Sequence, residues 1–334
     1  MSLLVKLTRS LDRGASRHRG FVTVLVLAAM ALLAALVMEA QARTRARLSG
    51  QGRFRSELPV QAALHDGVRE AMLRLADDEN LLVDHLQEPW AKAWDIPLTT
   101  GLSVRVEITD ACARFDLNNL YLPTPDISAR APEEIAMDLM TSGGDFQPAE
   151  RAAAIRDWID PDQDGLREKG YYETENLPFR PANRALASLA ELEHVAGFSR
   201  EFLQDKPRPK PGQPFRHAFR DLATVLPVPR QHPIKINLNT APEPVLQALL
   251  GVGDSALVRI MLVARQNGPL TGLDLFLVNL DPRQQNTLLA FADVRSEFFE
   301  IRARAYQTQG PNLTAQVLVH RDATGKVQVI RWMP

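Results

Sequence analysis

The feature that most constrains this chain is the run from Phe21 to Met38, FVTVLVLAAMALLAALVM, eighteen consecutive residues without a charge. As a helix it spans about 27 Å, against a hydrocarbon core of about 30 Å. It predicts a single membrane anchor with the bulk of the 334 residues on one side. Ahead of it stand Lys6, Arg9, Arg13, Arg17 and Arg19 against Asp12 alone, which favours the cytoplasm for this end. Behind it Arg43, Arg45, Arg47, Arg53 and Arg55 face only Glu39 and Glu57, so charge counting leaves the orientation open.

Three readings of the segment follow. A plain signal anchor needs only apolar length and flanking charge. A secretory signal peptide would be cut after Ala40-Gln41-Ala42, a small-x-small site, although the apolar run exceeds the usual ~7 to 15 residues. The third reading starts from Arg17-His18-Arg19-Gly20-Phe21, where a basic stretch ends in glycine and the apolar helix begins at the next residue. This resembles the processing site of type IV pilin-like proteins, in which a membrane peptidase cuts after the glycine and methylates the new amino terminus. Glycine suits such a site because it lacks Cβ and lets the backbone enter a narrow cleft. Most such subunits carry a glutamate five residues after the cut, and here that position is Leu25. The resemblance implies that the glutamate pairs with a neighbour's amino terminus, since an unpaired charge in an apolar bundle is costly. A subunit without it suits the first place in a fibre.

Beyond Gly50 and Gly52, where a break is expected, Val60, Leu64, Val68, Met72 and Leu75 recur as the stripe of an amphipathic helix. Leu102 to Thr109 alternates as a half-buried strand, and Ala113 to Leu117 reads as a second short strand ending in a turn at Asn118-Asn119. From about 120 to 290 the pattern is mainly helical, near Pro132 to Met140, Pro148 to Ile159, Ser188 to Ala196 and Pro242 to Leu250. Lys206 to Pro214, KPRPKPGQP, reads as an extended linker. Strands return at Phe299 to Tyr306, Ala315 to His320 and Val327 to Trp332, the last two flanking a turn at Asp322 to Gly325. The single cysteine, Cys112, rules out an internal disulfide, so stability must come from packing, a metal or partner subunits.

Asp160-Pro-Asp162-Gln-Asp164-Gly165 reads D-x-D-x-D-G, the opening of a calcium loop in which alternate carboxylates converge on one ion. Glu168 and Glu173 supply further oxygens, while Tyr171 stands where an EF-hand has its bidentate glutamate, so a standard EF-hand is not expected. Five carboxylates this close repel unless neutralised, and an irregular oxygen cage suits calcium over magnesium in a structural role. A second constellation, Ile236-Asn-Leu-Asn-Thr-Ala241 followed by Gly251-Val-Gly253, resembles a helix-hairpin-helix element. It supports a rival reading, a membrane-anchored extracytoplasmic DNA-binding receptor. Charge opposes it, because Arg259 and Arg265 are outnumbered by Glu243, Asp254 and Asp274, and 39 basic against 40 acidic residues leave no global field for nucleic acid. No histidine pair at metal-ligand spacing, nucleophile elbow or phosphate loop appears, so no catalytic residues are expected and the chain reads as a non-enzyme.

In order along the chain come Arg19-Gly20-Phe21 without a glutamate at 25, Phe115-Asp-Leu-Asn118, Asp157-Trp-Ile-Asp160, Arg180-Pro-Ala-Asn183 with Glu191-Leu192, and Ile236-Asn-Leu-Asn-Thr-Ala241. With them the chain resembles the type II secretion system minor pseudopilin GspK family, over nearly everything after residue 17. The resemblance implies an α+β fold, a pilin-like long N-terminal helix packed on a small antiparallel sheet, interrupted by a large mainly α-helical inserted domain. The expected divisions are a leader at 1–20, the transmembrane and amphipathic helix at 21–90, first strands at 91–117, the insert at 118–290 and C-terminal strands at 291–334. It further implies calcium in the acidic loop and cleavage by the prepilin peptidase. The implied setting is the inner membrane, amino terminus cytoplasmic and bulk periplasmic, with the I- and J-type minor pseudopilins and the major pseudopilin as partners at the tip of a periplasmic pseudopilus.

Overall fold

Helix α1 runs unbroken from Leu4 to Ala76 in the computed structural model. The structure describes the backbone from residue 4 to 333 except residues 100, 123–127, 205–216, 228–231, 252–254, 279 and 308–311; within α1, side chains are described for 24–43 and from 58 onward. The break expected after Gly50 and Gly52 is not there, and Pro59 also lies inside the helix. Each glycine costs about 1 kcal/mol and proline about 3, which long helical runs on both sides absorb. The helix stops at Ala76, short of the expected 90. Its end is set by side chains that compete for the backbone: Asn80 N–H donates to Asp78 Oδ1 at 3.0 Å and Leu82 N–H to Asn80 Oδ1 at 3.2 Å. Val24–Arg43 is the stretch of α1 long and apolar enough to cross a membrane, and none of it is buried.

The carboxy-terminal part of α1 packs on a five-stranded antiparallel sheet. The strands are β1 (Trp94–Thr99), β2 (Leu102–Asp110), β7 (Phe298–Gln307), β8 (Leu313–Arg321) and β9 (Val327–Met333), in the order β1-β2-β7-β8-β9. Val60, Leu64, Val68, Ala71 and Leu75 face Val104, Val106, Ile301, Ala303 and Val317, all buried in one core. Met72, expected in the stripe, is half-buried at its border, and Ala71 takes the contact instead. Each fully buried Val or Leu contributes about 1.5–3 kcal/mol. The helix comes closest at Gly67, where a Cβ would lie 2.7 Å from Val104 Cγ1.

Strand β1 goes beyond the expected strands, because Pro97 in its middle masks it; proline is tolerated there since the strand is an edge. Asp110 ends β2 by accepting the Cys112 N–H at 2.7 Å, which starts a 3-10 turn over Ala111–Ala113. The expected second strand of the core shrinks to β3 (Phe115–Asp116), which leaves the main sheet and pairs in parallel with β4 (Ala223–Thr224). Asn118, at the expected turn, is buried: its amide donates to Leu186 O at 3.0 Å and Leu226 O at 2.8 Å and accepts from Leu186 N.

Between β3 and β6 the chain is mainly helical. It holds α2 (Pro132–Ser142), α3 (Pro148–Ile159), α4 (Lys169–Thr174), α5 (Arg200–Gln204), α6 (Phe219–Leu222), α7 (Glu243–Leu250), α8 (Ser255–Asn267), α9 (Asp274–Leu277) and α10 (Pro282–Phe291). Prolines at the first helical turn start α2, α3 and α10, where their missing N–H costs nothing. The segment near Ser188 to Ala196 is a 3-10 turn, Leu189–His194. The linker expected at Lys206 to Pro214 lies outside the described residues. Ile135, Leu139, Ile155, Trp158, Leu246 and Leu249 lie in one apolar cluster separate from that under α1. The short parallel pair β5 (Ile236–Asn237) and β6 (Ala292–Asp293) returns the chain to β7.

Candidate functional site

Helix α3 ends at Ile159 and α4 begins at Lys169, so Asp160 and Glu168 flank the two ends of the acidic loop. One carboxylate oxygen each from Asp160, Asp162 and Glu168 lies within 4.8 Å of the others. Glu168 is 7% exposed, yet among the described residues neither of its carboxylate oxygens has a hydrogen-bond donor, and Asp160 Oδ1 is likewise buried and unpartnered. Burial, then the neighbouring carboxylates, pushes the pKa of both groups upward. Orphaned buried carboxylate oxygens are costly, and three acids that converge with Asp160 Oδ1 and both Glu168 oxygens unanswered among the described residues fit a hard divalent cation.

The loop separates the expected ligands into two sets. Asp164 is exposed and offers its backbone N–H to Asp162 Oδ1 at 2.9 Å. Glu173 is about half exposed, with Lys169 at 3.8 Å and Arg180 at 3.6 Å. Neither joins Asp160, Asp162 and Glu168. Asp157, which opens the Asp157-Trp-Ile-Asp160 motif and is not among the expected ligands, is 8% exposed and accepts the Arg167 N–H at 2.7 Å. Gly165 sits against it so closely that a Cβ would come within 2.3 Å of the Asp157 carboxyl carbon. The glycine of the D-x-D-x-D-G motif thus keeps the loop folded over Asp157.

A second acidic group, Asp78, Asp84 and Glu88, is answered differently. The buried Arg321 guanidinium donates to Asp78 Oδ2 at 2.7 Å and to Asp84 Oδ1. Glu88 accepts Trp90 Nε1–H and the His85 N–H, each at 2.7 Å. Burial pushes Asp84 up to about 6 and Glu88 up to about 7. With a protein cation already seated there, this group calls for no ion.

Asn237 ties the two apolar clusters together. Its amide lies 3.1 Å from Asp84 O, 3.2 Å from Asp110 Oδ2 and 2.8 Å from Ser296 Oγ. Ser296 Oγ donates to Asp110 Oδ2 at 2.6 Å, and Thr240 Oγ1 donates to the same oxygen. Asp110 is buried with these donors around it, and burial raises its pKa. Asn239 exchanges hydrogen bonds with Leu270 at 3.0 and 2.8 Å. Arg265, one of the two cations near that motif, donates to Leu238 O at 3.0 Å and Ala241 O at 2.7 Å. The motif that suggested a helix hairpin is thus engaged internally by its own arginine; the Gly-x-Gly turn between α7 and α8 falls largely outside the described residues.

Among the processing residues, Gly20 and Phe21 lie on the backbone of α1, their side chains outside the described set. Leu25 is 60% exposed.

The fold defines the class: an α+β pilin-like protein, one long amino-terminal helix on an antiparallel sheet with a large helical insertion. It matches a chain in the crystal structure of the GspK–GspI–GspJ complex of the enterotoxigenic Escherichia coli type 2 secretion system, with a TM-score of 0.63 and 23% identity, over 87% of this chain and 98% of that one. Residues 113–206 match the family model for protein K of the type II secretion system. A protein of Escherichia coli strain K12 that carries the same protein K name is 26% identical over 201 residues, spanning 57% of this chain and 61% of that protein's length. The family model and the relative thus point to the same family, protein K of type II secretion, and the solved structure shares the fold.

Proposed function

We propose that this chain is a non-enzymatic minor pseudopilin that assembles with I- and J-type minor pseudopilins, caps the tip of the type II secretion pseudopilus and helps initiate the fibre for protein export across the outer membrane. The observation that carries the reading is the exposed apolar helix of α1 continuing without interruption into the sheet-packed helix, with Leu25 where pilin-like subunits carry a glutamate. A helix of this kind packs beside similar helices without demanding a buried ion pair below it. The prepilin peptidase would cut between Gly20 and Phe21, leaving the chain in the inner membrane with its bulk periplasmic until the major pseudopilin extends the fibre beneath it.

Calcium in this reading is a structural clamp held by Asp160, Asp162 and Glu168, with Asp157 supporting the loop from below. It neutralises three acids and pins the connection between α3 and α4 in a chain without disulfides. Full-length chain mixed in detergent with I- and J-type minor pseudopilins should elute as one complex; separate elution at micromolar concentration contradicts the assignment.

A further inference from the structure

Residues 77–88, which follow α1, hold no helix or strand and strap the two apolar clusters together. Val83 is buried in the cluster of the helical insertion. Trp90, just beyond the strap, is buried in the cluster under α1, edge-on to Phe299 at 5.2 Å between centroids. Asp84 lies between them, fully buried, and is held from both sides. Its N–H donates to Val294 O at 2.9 Å and its Oδ2 accepts the Ser296 N–H at 2.7 Å, while Arg321 of β8 donates to Oδ1. The seating of the insertion on the sheet therefore runs through this residue.

Charge on the strap does not balance. Asp78, Asp84 and Glu88 bring one carboxylate oxygen each within 4.8 Å of the others, and the Arg321 guanidinium pairs with Asp78 and Asp84. Glu88, 8% exposed, pairs with no arginine or lysine among the described residues. Its neutral donors are Trp90 Nε1–H and the His85 N–H, and His85 Nε2, 3.5 Å away, is a cation only when protonated. Asp110, joined to Asp84 through Asn237 and Ser296, also has neutral donors, so no further cation comes from that side. Toward solvent, Glu88 lines a cavity of about 810 Å³ in which Glu70, Asp77 and Glu79 outnumber Arg74, whose guanidinium lies on the Trp94 ring at 3.8 Å. Carboxylates crowded together and taken out of water cannot all stay ionised beside a single guanidinium. A proton is the neutraliser that this geometry admits.

We infer that the strap is a proton-operated latch between the helical insertion and the sheet-packed end of α1, closed while the Asp78, Asp84 and Glu88 group carries an added proton and loosened when that proton leaves. Burial, with the charge of Asp78 added to it, takes Glu88 up to about 7, and burial takes Asp84 up to about 6. An open strap returns both groups to water and to their ordinary lower values, so the closed state binds more protons. Its stability is present at low pH and is lost as pH rises through those two folded values. From pH 6 to pH 8 the ratio of open to closed strap rises about tenfold. Such an opening is local, releasing Val83 and Trp90 while the strands stay paired. The latch stands whether or not the chain assembles with other pilin-like subunits.

The test is backbone hydrogen exchange of the full-length chain in detergent from pH 6 to pH 8, with each rate divided by that of the unfolded peptide at the same pH. In the wild type, protection across residues 83–90 and 294–297 should fall about tenfold over this range. In Glu88→Gln, which takes up no proton there, it should fall no more than about threefold. The change with pH is read and not the level, so a variant that is looser throughout still reports. Should Glu88→Gln fail to fold, Asp78→Asn takes its place, since removing that neighbouring charge weakens the hold of Glu88 on its proton and flattens the fall. Wild-type protection that stays constant across the range overturns the latch. A fall as steep in the variant as in the wild type overturns it too, because the titrating group then lies elsewhere.

Discussion

Asp160 and Glu168 turn buried carboxylate oxygens toward one another from opposite ends of one loop, and no donor among the described residues answers them. Calcium should therefore raise the melting temperature of the protein. At a hundredfold excess over its dissociation constant the gain is about 2.7 kcal/mol. Glu168→Gln and Asp162→Ala should each abolish it, whereas Asp164→Asn and Glu173→Gln should leave most of it. Differential scanning fluorimetry with and without chelator reads all five proteins.

The same loop sets a pH dependence. Burial and the neighbouring acids make folded Asp160 and Glu168 hold their protons to a higher pH than they do unfolded. Between those two values the folded state binds more protons, so metal-free stability falls as pH rises through the folded values. Chelated wild type should thus gain stability relative to Glu168→Gln as pH is lowered from neutral, while the gain from calcium shrinks. Melting curves of the two proteins across that range give the difference directly; a gain from calcium that grows on acidification would be the wrong sign.

Arg321→Met should leave Asp84 buried and without its cation. Breaking a buried pair on one side costs about 3–5 kcal/mol. Burial already raises Asp84 to about 6 with Arg321 in place, against an ordinary 3.8. Protonation removes the stranded charge, so part of the lost stability should return as the pH falls through and below 6. Adding Asp84→Asn should restore part of it at neutral pH, and chemical denaturation of the single and double variants measures both effects.

Gly67→Ala places a methyl group 2.7 Å from Val104 Cγ1 and within 3.6 Å of Val106 and Ala303 side chains. The helix must lift or the strand must shift, at about 1–3 kcal/mol. The expected outcome is a lower denaturation midpoint and faster exchange of the β2 amides, with the calcium response retained because the loop belongs to the other apolar cluster.

The elements with strong periodicity were legible in the sequence. Alternation from Leu102 and again from Phe299 reports a sheet buried on one face, and proline followed by apolar spacing marks α3 to the residue, Pro148–Ile159. What the sequence hid were tertiary decisions. Nothing local says that Gly50 and Gly52 continue a helix, or that Phe115–Asp116 pairs with Ala223–Thr224 more than a hundred residues on. The acidic loop was legible as a cluster but not as a ligand set. Asp162 and Asp164 have the same type and spacing, and only the return of the chain at Glu168 decides which of them meets Asp160. The role of Asn237 was out of reach for the same reason, since its acceptors come from Asp84, Asp110 and Ser296.

The central claim, that α1 is a processed pilin-type helix, is tested most directly by intact mass spectrometry of the protein extracted from its native membrane. The account predicts a mature chain that begins at a methylated Phe21. A chain beginning at Arg43 would identify a secreted protein and an uncut Met1 a plain anchor, and either result contradicts the claim.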